Sequence, residues 1–239
     1  MKSIKWVSFC ASNKVLKTML HFFPKALNTT TPYPVTCKLG LFGEGENANS
    51  VMVEGVRLNQ ASGILLDAAF PQLNGDYSGF IGITAEVALR QQSVILDYSN
   101  FIIELMSFSS SVKFSPNRLN ENEENPSFLK SFPVLNDTLT ETSLIIVNST
   151  LAEYEVNILN VDNELVVESL RSAPLTAKEY SLEKVEDLMS KGCVCVLNSC
   201  WTNGSLSLLR FDREIPVGVC VYVLCRDKTT KKITSCFNL

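Results

Sequence analysis

Cysteine is the residue type whose spacing first suggests chemistry. Eight occur in 239 residues. Six of them, Cys193, Cys195, Cys200, Cys220, Cys225 and Cys236, crowd the C-terminal end, while Cys10 and Cys37 lie far upstream. Three or four thiolates can close a tetrahedral zinc site. The spacing here is C-x-C-x4-C followed by C-x4-C, not the paired C-x2-C of a zinc ribbon. Alternation along a strand would still put Cys193 and Cys195 on one face. Disulfides are a second reading and imply an oxidising compartment. The plainest reading is buried free thiols that pack as small hydrophobes.

His21 is the only imidazole. That removes most histidine-based triads, metal sites and acid–base pairs at once. A cysteine nucleophile needs a base, and His21 would have to bring it from the N-terminal segment. A carboxylate-pair hydrolase would draw on Asp67, Asp76, Glu86, Asp97 and Glu104, but no spacing selects two of them. Gly43 and Gly45 invite a phosphate loop, yet no GK[ST] follows and Glu44 and Glu46 would repel phosphate. Asn28, Asn136, Asn148 and Asn203 match the glycosylation acceptor pattern. The acidic stretch from Leu119 to Ser127 fits no EF-hand loop. No residue is therefore assigned as catalytic, cofactor-binding or metal-ligating, and no cofactor is expected.

The elements that would have to position any site are strands. Leu144–Val147 is a continuous apolar run ended by Asn148-Ser149-Thr150, which favour turns. Tyr154, Val156, Ile158 and Asn160 alternate with Glu153, Glu155, Asn157 and Leu159, the period of a half-buried strand. Asp162-Asn163-Glu164 turns this strand back as a hairpin, Ala173-Pro174 ends the return arm, and a third strand follows near Tyr180. Strands are also predicted over 35–42, from Val51 to Val56, over 80–83, 193–197, 205–210 and 216–225, with a lysine-bearing tip at 227–232 and a return over 233–237. Short helices are predicted at 64–70 and 181–189.

Residues 1–31 read differently. Six lysines precede the first acid, Glu44. Val15, Met19, Leu20, Phe22 and Phe23 suit one face of a short amphipathic helix stopped by Pro24. The expectation is a basic N-terminal arm that docks on the body or makes peripheral contact with a membrane. The apolar run after Lys5 is too short for a signal peptide. No export signal is legible, so a cytoplasmic location is favoured over export.

Phe70-Pro71-Gln72-Leu73-Asn74 is echoed by Phe132-Pro133-Val134-Leu135-Asn136, and strand patterns follow both at a nearly constant offset. Thus 80–83 aligns with 144–147, 93–97 with 157–161, and 100–104 with 164–168. The match suggests an internal duplication. Leu144 to Val185, followed by Asn203-Gly204-Ser205-Leu206, resembles bacterial immunoglobulin-like repeats and the sensory-rhodopsin-transducer type of small β-sandwich. The resemblance implies binding or scaffolding rather than catalysis, and no functional residue carries over.

The composition, 46% hydrophobic and 19% charged with a formal charge of −4, is that of a globular chain. It shows no basic patch with interleaved aromatics, so nucleic acid is not the expected partner. No run is long enough for a membrane span. The expectation is a mainly β chain of two related antiparallel β-sandwich units with short connecting helices. Its parts are an arm at 1–31, a first unit at 32–120, a linker at 121–127 and a second unit at 128–239. It would be a non-enzymatic binding, scaffold or assembly module whose partner is protein, itself or another. Two alternatives stand beside it. One is an enzyme or ligand binder with a carboxylate-lined cleft between the units. The other is a metal or redox protein using the C-terminal cysteines.

Overall fold

The computed structural model describes residues 2–22, 36–43, 51–57, 63–71, 77–87, 101–119, 131–136, 139–161, 164–182, 192–197 and 200–239. Among them are eighteen strands and one four-residue helix, α1 (Leu66–Ala69). The chain is mainly β, as its alternating patterns require. The first half supplies β1 (Lys2–Ser12), β2 (Lys17–Phe22), β3 (Thr36–Gly43), β4 (Val51–Arg57), β5 (Ile64–Leu65), β6 (Tyr77–Val87), β7 (Phe101–Ser107), β8 (Ser110–Phe114) and β9 (Asn117–Leu119). The second supplies β10 (Ser131–Asn136), β11 (Thr140–Asn148), β12 (Tyr154–Asn160), β13 (Val166–Ser172), β14 (Thr176–Ser181), β15 (Gly192–Leu197), β16 (Cys200–Phe211), β17 (Val219–Asp227) and β18 (Ile233–Asn238).

These strands make four antiparallel sheets, named here in stacking order. Sheet I is β5-β2-β7-β8, and sheet II is β4-β3-β6-β1-β9. Sheet III is β14-β11-β17-β18, and sheet IV is β10-β16-β12-β13 with β15 also paired to β16. No described pairing joins a strand before residue 120 to one after residue 130. The first six pairings of one half recur in the other. β1–β6, β2–β5, β2–β7, β3–β4, β3–β6 and β7–β8 correspond to β10–β16, β11–β14, β11–β17, β12–β13, β12–β16 and β17–β18.

The burial of single strands fixes the layering. In β1, Trp6, Val7, Ser8, Phe9, Cys10 and Ala11 are all buried, so sheet II is covered on both faces. Trp6 packs against Phe101 of sheet I, with ring centroids 4.6 Å apart. Val7 and Phe9 point the other way, on the face shared with Phe80, and meet sheet III. Sheet III is covered twice as well. Ile145, Val147, Cys220, Tyr222 and Leu224 join the core with sheet II, whereas Leu144, Ile146, Val219, Val221 and Val223 join the core with sheet IV. That is why Leu144–Val147 reads as an unbroken apolar run: a strand buried on both faces has no polar phase. Among the described residues, the faces of sheets I and IV turned away from these cores carry exposed side chains. β12 shows this as a clean alternation, with Tyr154, Val156, Ile158 and Asn160 buried and Glu155 exposed.

Several expectations need correcting. Residues 2–12 and 17–22 are not an arm but interior strands, and β2 alternates Thr18, Leu20 and Phe22 inward with Lys17, Met19 and His21 outward. The proposed helix face fails because Val15 lies in a turn, half exposed, while Thr18 rather than Met19 faces the core. A β-branched and aromatic run beside a free strand edge pairs before it coils. β1 and β2 instead pair with β6 and β7, strands that lie within residues 32–120. The FPxLN echo falls in two different settings. Phe70 follows α1, whereas Phe132 lies within β10. Strand β6 at 80–83 pairs with β1 and β3, while β11 at 144–147 pairs with β14 and β17. The recurring pairings instead relate strands about half the chain apart. The hairpin, the strand near Tyr180 and the helical turn at 66–69 stand where the sequence puts them. The acidic linker, the strand at 93–97 and most of the 181–189 helix lie outside the described residues.

Candidate functional site

The sequence candidates are best taken first, from the residues upward. Cys10, Cys220, Cys225 and Cys236 are free thiols. Cys10 is fully enclosed beside the Tyr77 hydroxyl, and burial pushes its thiol far above the usual range. Burial likewise raises the Cys236 thiol to about 12. A thiol held protonated is neither nucleophile nor metal ligand. The side chains of Cys37, Cys193, Cys195 and Cys200 lie outside the described residues. Among the described residues, no three histidine, cysteine or carboxylate groups converge on a point that could hold a metal.

His21 sits on the outer face of sheet I, across β2 and β7 from Glu104. Its Nε2 lies 2.6 Å from Glu104 Oε2, and Lys113 Nζ approaches the same oxygen at 3.7 Å. The other nitrogen, Nδ1, faces Gly63, where an added Cβ would come within 2.7 Å. Gly63 has φ +72°, so glycine serves both the turn and the close approach. The ring thus links β2 to β7 through Nε2 and packs against the Gly63 turn on its other side. Asp67 is held in a similar way. It accepts hydrogen bonds from Ser12 Oγ and from Lys17 Nζ, the latter at 2.7 Å. Of the other carboxylates named from sequence, Asp76 and Asp97 lie outside the described residues, as does the side chain of Glu86.

At the margin between sheets II and III, Glu179 accepts from Arg226 on both oxygens and from Ser143 Oγ at 2.6 Å. Burial works against ionisation of Glu179, but the Arg226 guanidinium and the Ser143 hydroxyl outweigh it and hold the carboxyl below its usual range. Glu104 follows the same logic: burial opposes its charge, and Ser111, His21 and Lys113 overcome it. Such groups stabilise the fold above the unfolded carboxyl pKa of about 4.3, and that stability is lost as pH falls through the lower folded value. The expected outcome is a thermal midpoint that drops steeply below roughly pH 4. Glu179→Gln should flatten that limb, measured by calorimetry across pH. An equal slope in the variant would contradict the assignment.

The lysine tip resolves into local structure. Asp227 Oδ1 accepts from the Thr229 and Thr230 amides at 3.0 and 2.6 Å, and Lys231 Nζ donates to Glu141 at 2.6 Å. Asn148, one of the glycosylation matches, is fully buried. Its amide nitrogen donates to the carbonyls of Ala152 at 2.8 Å and Ser172 at 3.2 Å. Its oxygen accepts from the Thr150 amide and hydroxyl at 3.0 and 2.7 Å. No glycan can attach there in the folded chain.

Asn148 also helps to build a surface feature among the described residues. Three turns meet at this end of sheets III and IV: 149–153, 173–175 and 216–218. Ser149 donates to the Gly218 carbonyl from its amide at 2.9 Å and its hydroxyl at 2.6 Å. Leu175 N donates to Thr150 O at 3.2 Å. Gly218, at φ +91°, packs so close to Thr150 that a Cβ would fall 2.8 Å from its methyl. On this locked platform Leu151 is 85% exposed, Val217 49% and Leu175 37%. Leu175 also holds φ +55°, a left-handed conformation that costs a bulky side chain of order 1 kcal/mol. Strain and exposed apolar area coincide at one place.

The sequence reading missed this end. Its signal was there: Leu151 follows Asn148-Ser149-Thr150, and Leu175 follows Ala173-Pro174, so leucine occupies turns where polar residues are the rule. The free edge of sheet IV is by contrast guarded. Tyr180 donates its hydroxyl to the carbonyl of Arg171 on β13, and Glu168 sits on the core-facing phase of that strand. No helix among the described residues is long and apolar enough to cross a membrane. Comparison of the chain with known protein families, curated proteins and solved structures gives no match.

Proposed function

We propose that the chain is a non-catalytic recognition or assembly module, built from two copies of one sandwich unit, that binds a protein partner through the turns at 149–153, 173–175 and 216–218. The observation that carries this reading is the trio Leu151, Leu175 and Val217, held out on turns that are hydrogen-bonded to one another. Apolar side chains displayed on a rigid platform lose little conformational entropy on binding. The described carboxylates support the same reading, because Asp67, Glu104 and Glu179 are each engaged by a cation or hydroxyl in holding strands together. The shared order of strand pairings supports two copies, and the immunoglobulin-like resemblance accords with recognition by the turn end of a sandwich.

The test is photocrosslinking inside the cells that make the protein. A photoreactive phenylalanine analogue replaces Leu151 in the full chain, and a second chain carries it at Thr229, an exposed turn elsewhere. A discrete protein adduct at 151 and none at 229 is the expected result. Equal labelling at both positions, or no adduct at 151, would contradict the proposal.

A further inference from the structure

Tyr154 carries a buried hydroxyl that no contact described above uses. The residue opens β12 at the Leu151 end of sheet IV and is 6% exposed. Its oxygen is enclosed and has no hydrogen-bond partner among the described residues. Burial pushes the group up to about 12, so it stays a hydroxyl. The chain that passes beside it is 213–217. β16 runs antiparallel to β12, with Ile158 opposite Phe211, and the same course carries the chain beyond Asp212 alongside Tyr154. Tyr154 and Ile215 pack into one core.

This span is clamped at its ends. Asp212 N donates to the Asn157 carbonyl at 3.0 Å, and the Asp212 carboxylate accepts from Asn157 N and Nδ2 at 2.9 and 2.7 Å. At the other end the Gly218 carbonyl accepts from Ser149 N and Oγ. Between these posts Arg213, Glu214, Pro216 and Val217 are exposed. Glu214, Ile215 and Val217 make no hydrogen bond among the described residues. The middle is held by Ile215 against the core and by the Val219 amide, which donates to the Pro216 carbonyl at 3.0 Å.

From this arrangement we infer that 213–217 is a flap over Tyr154, hinged at Asp212 and Gly218, whose closure completes the apolar platform. A hydroxyl shut away without a partner costs free energy, and water relieves that cost once the cover lifts. The Tyr154 hydroxyl is therefore a built-in bias toward the open form. Pro216 and Val217 ride on the flap, so the surface they share with Leu151 and Leu175 is whole only while the flap is shut. The open fraction lowers apparent affinity, and a partner seated on the platform holds the flap down. The role at Leu151 rests on the recognition reading, whereas the flap itself rests only on these contacts.

The experiment is amide hydrogen exchange of the full chain, resolved to single residues by nuclear magnetic resonance. The wild-type Val219 amide, whose acceptor is on the flap, should exchange at least about a hundredfold faster than that of Val223, which lies between β11 and β18. Tyr154→Phe removes the unpaired hydroxyl and should slow Val219 about tenfold. Ile215→Ser, checked for fold by circular dichroism, should speed Val219 and should lose the crosslinked adduct at position 151. Val219 exchanging as slowly as Val223 in the wild type would overturn the flap. So would a Tyr154→Phe chain with unchanged or faster Val219 exchange, the result a water bound to the hydroxyl would give. A full adduct in folded Ile215→Ser would overturn the role in completing the platform. Absence of an adduct in the wild type counts against the recognition reading alone, and the exchange rates still decide the flap.

Discussion

Replacing Tyr222 by alanine should destabilise both halves of the chain together, by about 3–5 kcal/mol, the range for deleting a fully enclosed aromatic ring. Tyr222 belongs to sheet III, yet its surroundings come from the first half. Its ring lies 5.3 Å from that of Phe114, and its hydroxyl donates to the carbonyl of Val7 at 3.2 Å. No part of it reaches solvent. β8 and β18 run alongside one another at this point, and Asn238 hydrogen-bonds Asn117 beside it. Truncation leaves a cavity that neither sheet can close by itself. Tyr222→Phe keeps the ring and should cost only about 1 kcal/mol, the value of one hydrogen bond. Denaturant melts of Tyr222→Ala, Phe114→Ala and the double variant measure the coupling across the halves. A coupling of about 0.5 kcal/mol or more is expected for residues in contact. Strict additivity would mean that the rings do not meet in solution.

Thr18→Val is the second large effect, although it preserves shape. Thr18 Oγ1 donates to the carbonyl of Ala11 at 2.7 Å and accepts from the amide of the same residue at 2.9 Å. One hydroxyl thus stands in for a missing neighbour strand, because β9 pairs only with Lys5, Trp6 and Val7 and leaves the rest of that edge of β1 open. Thr18 is 1% exposed and Ala11 equally so. Valine would strand a buried donor and a buried acceptor, each costing about 1–3 kcal/mol. The sum is on the order of 2–6 kcal/mol, a fall in midpoint of roughly 4–24 °C for a chain of this size. Thr18→Ser restores the hydroxyl and should recover most of it. A Thr18→Val midpoint within a degree of wild type would show that the Ala11 groups have other partners.

How much of this could be read from residue types depends on which face a strand shows. β12 and β13 alternate because one side is wet, so the hairpin and its phase are legible in 154–172. The run at 144–147 betrays a strand but not its place between two sheets, since periodicity carries no information once both faces are apolar. β1 and β2 were misread for a related cause. Their lysines suggested a solvated arm, whereas Lys17 sits on an outward face and the intervening residues point into the core. The FPxLN echo misled because five residues of similar composition recur in unrelated settings, one after α1 and one inside β10. The turn-end platform escaped notice because three turns distant in sequence become one surface only through Asn148 and the Gly218 carbonyl. Between the halves the described residues pack apolar side chains, with Val7, Phe9 and Phe80 against Ile145, Val147 and Cys220. Glu179 stands at the margin of this packing and is held by Arg226.

Two free thiols report on that packing between the halves. Cys10 faces sheet I from sheet II, and Cys220 faces sheet II from sheet III; they are 0% and 4% exposed. The decisive measurement is the rate of alkylation of each, resolved by peptide mass spectrometry under native conditions. Both thiols should react only at the rate of global unfolding and should gain reactivity together as denaturant is added. Rapid native labelling of Cys220 with Cys10 still protected would mean that the face between the halves is open, and would contradict the four-layer body.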